Sequence, residues 1–410
     1  MSQSLGQPPA VSRTRAALRF VLLLGVVSLF ADLTYEGARS ITGPYLASLG
    51  ASAAVVGVVA GFGELVGYGL RLVSGRLSDR TGKYWPIAWF GYAVQMGSVP
   101  LLALAGRWEV ASALVIAERT GKAIRNPPRD VLLAQATTEI GHGWGFGVHE
   151  ALDQLGALAG PLLVAALLQA GGQYQTAFAA LLVPAVLTLL LLGLTRALYP
   201  HPERLAASAA VPAAQGLPGR FWLYLAAVAL VAAGFADFAL LGYHFELARL
   251  GPASWVPLFY ALAMAAGALG ALVGGRLFDR LGVVVLVPLT VAAALFAPLV
   301  FLGGLWLVLV GVVLWGLGTG VHESLMPAVV AGLVPPARRG SAYGLFNAVY
   351  GVAWFLGSAA MGVLYERSLA GVVAFSVALE SAAVIGLLLL ARASPPRHSP
   401  RAAGARPTGM

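Results

Sequence analysis

The sequence predicts an all-α membrane protein with twelve transmembrane helices arranged as two pseudo-symmetric six-helix bundles. Three observations lead to this fold class: an apolar composition, a series of apolar segments of membrane-spanning length, and an internal repeat. Hydrophobic residues make up 59% and charged residues only 10% of the 410 residues. So little polar surface implies that lipid is part of the solvent, and a helix needs roughly 20 mainly apolar residues to cross a bilayer.

Hydropathy divides the chain into two sets of six predicted spans, whose ends are marked by glycine, proline and charged residues. The first set lies near residues 17–40, 52–75, 85–105, 108–135, 145–170 and 174–195. The second set lies near residues 220–247, 254–275, 283–302, 305–332, 342–365 and 370–391. The predicted domains are a cytoplasmic tail at 1–16, a bundle at 17–196, a cytoplasmic linker at 197–219, a bundle at 220–391 and a disordered cytoplasmic tail at 392–410.

The basic residues sort onto alternate loops of this arrangement. The arginines of both tails and of the linker share one side, whereas only Arg107, Arg249 and Arg367 fall on the other. By the positive-inside rule, both termini are therefore expected in the cytoplasm, in a multi-pass protein of the bacterial inner membrane. The formal net charge of +9 is explained by this topology, so we expect no nucleic-acid binding.

The two halves repeat a short charged segment at the same place in the predicted topology. GRLSDRTG at Gly75–Gly82, after the second span, recurs as GRLFDRLG at Gly275–Gly282, after the eighth. Parallel repeats that pack around an axis along the membrane normal place a substrate cavity at their interface, near the middle of the bilayer. The repeat therefore predicts a transporter with a central cavity.

The first copy of this segment resembles the signature loop between the second and third helices of the major facilitator superfamily. The glycine, aspartate, arginine, glycine and basic residue of that loop are all in place from Gly75 to Lys83, and the resemblance extends over the whole chain. It implies a bacterial twelve-helix carrier that works by alternating access, with this loop switching the conformation. The aspartate would accept hydrogen bonds at a helix N-terminus of the opposite half and so hold the cytoplasmic side closed.

Arg129 and Asp130, near the cytoplasmic end of the fourth span, are interpreted as a structural ion pair that extends this gating network. The residues predicted to take part in gating are Gly75, Asp79, Arg80, Gly82, Lys83, Arg129, Asp130, Gly275, Asp279 and Arg280.

The fifth span resembles the glycine-proline motif that antiporters of the family carry in this helix. Gly156, Gly160 and Pro161 match the motif, whereas Val164 and Ala165 stand where the fuller pattern has two further glycines. The resemblance implies proton-driven export. A packing role is the alternative, since small residues let helices approach each other closely.

Ionisable side chains inside the spans are the main candidates for function. Each costs about 2.5–3.5 kcal/mol on insertion scales, so each is expected to face a water-filled cavity or a buried partner. In the first span, Asp32, Tyr35, Glu36 and Arg39 follow helical spacing and share one face, which we expect to point inward. The second and fourth spans repeat this mixture of acid and base.

A carboxyl group in a low-dielectric cavity can exchange protons near physiological pH. On this argument the predicted proton-coupling residues are Asp32, Glu36, Glu150 and Asp153, with Asp32 and Asp153 as first choices. His149 projects about 100 degrees away from Glu150 on the same helix, so one or two of the group in the fifth span should face the cavity.

The remaining intramembrane polar groups are predicted to bind substrate. They are Tyr35, Arg39, Glu64, Arg71, Arg119, Lys122, Arg125, His149, Asp237, His244, His322 and Glu323. Asp237 follows Phe235 and Ala236 as Asp32 follows Phe30 and Ala31, so repeat symmetry would place these two aspartates across the cavity from each other. Four of these residues could hold a carboxylate or phosphate: Arg39, Arg119, Lys122 and Arg125.

These residues leave several functions open. The leading hypothesis is a monomeric, proton-coupled exporter of a small organic solute, and the alternative is a symporter or uniporter for an anionic or zwitterionic solute. A divalent metal transporter or a non-transporting sensor fits less well, because no tight metal-ligand spacing occurs and both signature loops are intact.

No phosphate-binding loop, HExxH or nucleophile elbow is present, so we predict neither an enzyme nor a cofactor. The absence of cysteine excludes disulfides and thiolate metal sites.

Overall fold

The computed structural model describes residues 10–137, 140–200, 217–335 and 338–392, which form α-helices and short connections without strands. The helices of the first half are α1 (Ala10–Ser48), α2 (Ala53–Thr81), α3 (Tyr84–Leu101), α4 (Trp108–Thr137), α5 (His142–Gln169), α6 (Tyr174–Ala180) and α7 (Leu182–Leu198). Those of the second half are α8 (Gly219–Gly234), α9 (Phe238–Leu247), α10 (Trp255–Leu281), α11 (Leu286–Ala294), α12 (Phe296–Leu302), α13 (Leu305–Gly320), α14 (Met326–Leu333), α15 (Arg339–Arg367) and α16 (Leu369–Arg392). The predicted all-α membrane fold is confirmed.

The helices are consistent with twelve membrane crossings. Ten stretches of the described chain are long and apolar enough to cross a membrane, and the longest, Trp255–Leu302, contains two antiparallel arms, α10 and α11–α12. Helix α4 is 30 residues long but falls outside these ten, because it carries a series of charged residues. The pairs α6–α7 and α8–α9 and the series α13–α14 each make one interrupted crossing.

The helix ends extend several predicted boundaries. Helix α1 begins at Ala10, inside the segment predicted as a tail, and continues past residue 40 to Ser48. Most of the linker, residues 201–216, and the tail at 393–410 lie outside the described residues, so the predictions made for them stand as predictions.

The repeated segments close both α2 and α10 with glycines in a left-handed backbone conformation. Gly82 ends α2 with φ of 64° and donates its backbone N–H to the Ser78 carbonyl. Gly282 ends α10 with φ of 68°. Positive φ is available to glycine without a steric penalty, which explains the glycine at the end of both repeats. We call the end of the bundle that carries these two turns the loop end, and the opposite end the far end.

The fifth-span glycines bring α5 against α1. A Cβ at Gly156 would overlap the carbonyl oxygen of Leu29, and a Cβ at Gly160 would overlap that of Leu33. Only glycine permits this backbone approach. The motif that suggested an antiporter therefore has a packing function in this fold.

Two predicted spans of the second half are interrupted near mid-depth. Helix α8 ends at Gly234 and α9 starts at Phe238, where the Asp237 carboxylate caps the new helix by accepting the Ala239 N–H at 2.9 Å. The freed carbonyl of Ala236 accepts a hydrogen bond from the Trp315 indole at 2.8 Å, so a polar group inside the membrane is satisfied. The second interruption is a π-helical segment, Val321–Leu325, between α13 and α14. Such segments often mark functional sites.

Candidate functional site

A polar cavity of about 320 Å³ lies between the two halves, on the loop-end side of the molecule. Helices α1, α2, α4 and α5 of the first half line it, together with α10, the π-helical segment and α15 of the second half. Its ionisable lining residues, tyrosines included, are Asp32, Glu36, Arg39, Tyr68, Arg71, Lys122, Glu150, Asp153, His322, Glu323 and Tyr350. A narrower space of about 60 Å³ continues from it and shares Arg71, Lys122 and Glu323.

The far end of the cavity is closed by direct contact between the halves. At Gly43 on α1, an added Cβ would overlap the carbonyl oxygen of Ala239 on α9. The Tyr260 hydroxyl of α10 donates to Glu36 Oε2 of α1 at 2.5 Å. These contacts join the bundles at the far end and leave the cavity on the loop-end side.

Arg39 connects the halves at the base of the cavity. Its Nη2 lies 3.4 Å from Glu64 Oε1 of the same half and 3.2 Å from Asp237 Oδ2 of the other half. Glu64 also pairs with Arg119 Nη1 at 3.0 Å, and the same nitrogen donates to the Tyr35 hydroxyl. These four charged groups neutralise one another, and opening the far end would require the bond between Arg39 and Asp237 to break.

Arg125 is the most buried cation of the site, with a side chain that is 0% exposed. Its Nη2 pairs with Asp32 Oδ1 at 3.2 Å, its Nη1 donates to the Tyr92 hydroxyl at 3.0 Å, and its Nε donates to Gln95 Oε1. The amide nitrogen of Gln95 donates to Glu118 Oε1 at 2.7 Å, so the network extends along α4. Arg125 thus serves as a structural counterion to Asp32 in this conformation.

Three predicted anion ligands are consequently engaged with carboxylates. Arg39, Arg119 and Arg125 each form an ion pair within the protein. Two cavity cations differ, because no ion pair in the described part of the chain involves Lys122 or Arg71. The Lys122 ammonium lies 3.6 Å from the centroid of the Tyr35 ring, and the Arg71 guanidinium stacks on Tyr68 at 5.1 Å with its Nε unpartnered.

The cavity also contains carboxyl groups that have no cation partner within the described residues. Glu150 accepts a hydrogen bond from Gln154 at 2.9 Å, and one oxygen of Asp153 is buried without a partner. Glu323 projects from the π-helical segment into the cavity, on the second half. Glu150 and Asp153 line the cavity, whereas their neighbour His149 is not among its lining residues.

The predicted histidines divide into two groups. His149 lies 2.9 Å from Ser28 Oγ between α5 and α1, and His244 lies 2.9 Å from the Tyr365 hydroxyl in an aromatic cluster. Their prediction as substrate ligands does not fit these positions, because both side chains are buried between helices rather than at the cavity. His322 does line the cavity, and its Nδ1 has no hydrogen-bond partner in the described part of the chain.

Asp32 and Asp237 do not form the symmetrical pair that their sequence contexts suggested. Asp32 lies within a continuous helix and pairs with Arg125 of its own half, whereas Asp237 caps a broken helix and pairs with Arg39 of the other half. The repeat therefore preserves the sequence context and not the contacts.

The signature loops lie at the loop end, away from the other half. Asp79, Arg80 and Lys83 are exposed, and the Tyr84 hydroxyl of the next helix hydrogen-bonds the Asp79 carboxylate. In the second repeat Asp279 and Arg280 are exposed as well. The halves meet at the far end, so the loop end is open in this conformation and the predicted contact of the signature loop with the opposite half is not made. That this loop holds the loop end closed in another conformation stays a prediction.

The other predicted gating residues have contacts within the first half. A Cβ at Gly75 would lie 3.6 Å from Pro127, whereas Gly275 faces open space. Arg129 pairs with Asp130 at 2.8 Å, as predicted, and its Nη1 lies 3.5 Å from Ser28 Oγ. These contacts direct Arg129 toward α1, so its link to the signature loop stays a prediction.

Several residues of the site escaped the sequence analysis. Three of them are uncharged, so a search for charged residues inside apolar spans does not find them: Tyr92, Gln95 and Tyr260. Glu380 is different, because it is a lone carboxyl group in the middle of α16, and the rule applied to the other intramembrane charges would have selected it.

No group of three or more histidine and acidic side chains that could hold a metal ion occurs among the residues that the structure describes.

A charged cavity between two related helical bundles, in a chain of membrane-spanning helices, defines a membrane transporter. The family model described as Major Facilitator Superfamily matches residues 24–358 and 283–410, and the chain belongs to this family. A Mycobacterium tuberculosis protein described as uncharacterized is 45% identical over 385 residues, which cover 92% of this chain and 94% of that protein. An uncharacterized MFS-type transporter of Methanocaldococcus jannaschii is 32% identical over 143 residues, 35% of this chain and 36% of that protein.

Solved structures of transporters share the fold at low sequence identity. The nucleoside transporter NupG has a TM-score of 0.70 at 15% identity, covering 90% of this chain and 98% of its own. A POT family transporter in complex with a thioalcohol-conjugated peptide has a TM-score of 0.72 at 13% identity, covering 91% and 95%. A bacterial homologue of the human lysosomal transporter Spinster, in an inward-facing and unoccupied conformation, has a TM-score of 0.65 at 15% identity, covering 94% and 96%. The fold and family are those of transporters.

Proposed function

We propose that this protein is a proton-coupled secondary active transporter that moves a small solute with an anionic group, alone or as part of a zwitterion. The observation that carries the proposal is the pair of cavity cations, Lys122 and Arg71, which have no carboxylate partner in the described part of the chain. An uncompensated cation inside a membrane is costly, so such positions favour a function in binding. A bound carboxylate or phosphate would supply the missing counterion.

The arrangement of charges favours a solute that spans the two halves. Lys122 and Arg71 belong to the first half, whereas Glu323 belongs to the second and faces the same cavity. Arginine can bind a carboxylate or phosphate through two parallel hydrogen bonds, and lysine adds a point charge. A solute that also carries an ammonium group would place it at Glu323 and so draw the bundles together.

Alternating access is supported by where the halves touch. Contacts such as the Arg39–Asp237 ion pair lie at the far end, and the cavity lies on the loop-end side. With the loop end in the cytoplasm, as the distribution of arginines predicts, this is the state from which a cytoplasmic solute is loaded. We propose that the protein works as a monomer in the inner membrane with both termini in the cytoplasm.

Proton coupling is supported by the unpaired carboxyl groups of the cavity. Asp153, with one unpartnered oxygen, is the best placed of the predicted proton carriers, and Glu150 is exposed beside it. Asp32 and Glu36 could release their partners, Arg125 and Tyr260, and take up protons when the cavity closes. Export in exchange for protons is the direction that the sequence motif implies, and a flux measurement decides it.

Lys122→Met and Arg71→Met are each expected to weaken binding of an anionic probe by about 10- to 150-fold, the usual value of a hydrogen bond to a charged group. Competitive counterflow in proteoliposomes measures this, with dialanine, glucose 6-phosphate, uridine and tetraphenylphosphonium as probes and a pH-sensitive dye inside. Wild type should transport a zwitterionic or anionic probe and move protons with it.

Arg107→Met is the matched control, because Arg107 is a surface cation that is 76% exposed and pairs with Glu109 outside the cavity. Its transport should equal that of wild type. Selective transport of tetraphenylphosphonium that both cavity variants leave intact would contradict the proposed substrate class. Transport that is independent of a pH gradient would contradict the coupling.

A further inference from the structure

Glu380 is a buried carboxyl group that is not among the lining residues of the cavity. It lies at the centre of α16, its exposed fraction is 0%, and neither carboxyl oxygen has a hydrogen-bond partner among the residues that the structure describes. A carboxylate ion in this position would lose its hydration without gaining a donor, which costs several kcal/mol. The burial therefore requires the neutral, protonated acid.

The elements packed against α16 supply no counterion. Helices α11 and α12 and the turn Gly282–Val285 contain no ionisable residue. On α8 the cation is Arg220, 14 residues or about 21 Å before Gly234, and the cations of α15 are its first and last residues. The titratable group of α15 that interacts with Glu380 is Tyr350, which is uncharged at neutral pH.

Glu380 adjoins the break between α8 and α9. A Cβ added to Gly234, the last residue of α8, would lie 3.2 Å from Glu380 Cγ. One helical turn before Glu380, the Ser376 hydroxyl donates to the Gly234 carbonyl at 2.7 Å. The break leads directly to Asp237, whose ion pair with Arg39 joins the halves.

Aromatic residues of α15, a helix that packs against α16, line the narrow part of the cavity. Tyr350 and Trp354 of α15 pack on each other at 5.4 Å, and both face the narrow part of the cavity. Tyr350 also packs on Tyr68 of the first half at 5.2 Å. A movement of the halves against each other must therefore disturb the packing of Tyr350 on Tyr68, the break beside Glu380, or both.

We propose that Glu380 is a proton-binding site that takes up a proton when the far end is open and carries it, as the buried neutral acid, into the conformation with an open loop end. The inference deepens the proposed function, on which it rests, by placing a coupling proton in the second half and away from the solute. Protonation stabilises the conformation that buries the neutral acid. Deprotonation stabilises a conformation in which water reaches the carboxylate.

The absence of cysteine permits a direct test with paired spin labels. Leu77→Cys with Leu277→Cys reports the loop end, and Arg107→Cys with Trp306→Cys reports the far end, since all four positions are exposed. In reconstituted protein, raising the pH should shorten the first distance and lengthen the second. One coupled proton changes the population ratio by up to about tenfold per pH unit.

Glu380→Gln cannot titrate and should hold the low-pH distance distribution at every pH. Glu380→Leu, an apolar replacement, should do the same and serves if the glutamine variant folds poorly. Glu109→Gln removes an exposed carboxylate at the surface and should respond to pH as wild type does.

A pH response in Glu380→Gln equal to that of wild type would overturn the inference, and so would a wild type whose distances ignore pH. In both cases solute counterflow still decides the proposed function separately. We expect Glu380→Gln and Glu380→Leu to retain counterflow and to lose the pH response of the distances, and Glu109→Gln to retain both.

Discussion

Arg125→Met is expected to lower the free energy of unfolding by about 3–5 kcal/mol, the usual cost of removing one partner of a buried ion pair. The guanidinium is 0% exposed, and its loss leaves Asp32 without a counterion. It also removes the hydrogen-bond donors that Tyr92 and Gln95 face. Reversible unfolding in mixed detergent micelles, followed by circular dichroism, measures the change.

The structure provides a matched control and a rescue for this prediction. Arg107→Met breaks an ion pair of similar length, 2.9 Å, whose side chains are 76% and 43% exposed, so the loss should stay below about 1 kcal/mol. Asp32→Asn combined with Arg125→Met also removes the Asp32 carboxylate that the single variant leaves without a counterion, and should recover part of the stability. Equal effects of the two single arginine variants would mean that burial does not determine the strength of the Arg125 pair.

Gly43→Ala is expected to shift the conformational equilibrium by about 5- to 150-fold away from the state with a closed far end. The added methyl group would overlap the carbonyl oxygen of Ala239, which is rigid backbone on the opposite half. Overpacking of this kind costs about 1–3 kcal/mol in the state that contains the contact. Because the two halves separate at this end when it opens, the cost falls on one conformation only.

The far-end spin-label pair, Arg107→Cys with Trp306→Cys, measures this shift, and we expect a larger population at the longer distance. Gly97→Ala is the control, since a Cβ at Gly97 meets nothing within 4 Å. It should leave the distances unchanged and can add helix propensity of up to about 1 kcal/mol. A far end that stays closed in Gly43→Ala would show that the helices adjust without separating.

The two experiments examine different properties of the same arrangement. Arg125 lies within one half, so its removal should affect stability, whereas Gly43 lies between the halves, so its substitution should affect the conformational equilibrium. If Gly43→Ala instead reduced unfolding stability as strongly as Arg125→Met, the contact between α1 and α9 would be part of one rigid unit, and alternating access about this interface would be contradicted.

The sequence by itself determined the fold class, the division into halves and the family. Apolar segments of spanning length must enter lipid, and the doubled GRLSDRTG and GRLFDRLG turns are local features, set by glycine backbone conformation at Gly82 and Gly282. The expectation that Asp32, Glu36 and Arg39 face inward also required only helical spacing and the cost of a charge in hydrocarbon.

The tertiary structure alone decided which charges pair with each other and which remain for a ligand. Arg125 and Lys122 lie within one turn of α4 and look alike in sequence, yet one is paired with Asp32 and the other faces the cavity. The break before Asp237 and the isolation of Glu380 depend on which helices surround them. The physical reason is that the energy of an intramembrane charge is set by partners a few ångströms away in space, and those partners come from distant parts of the chain.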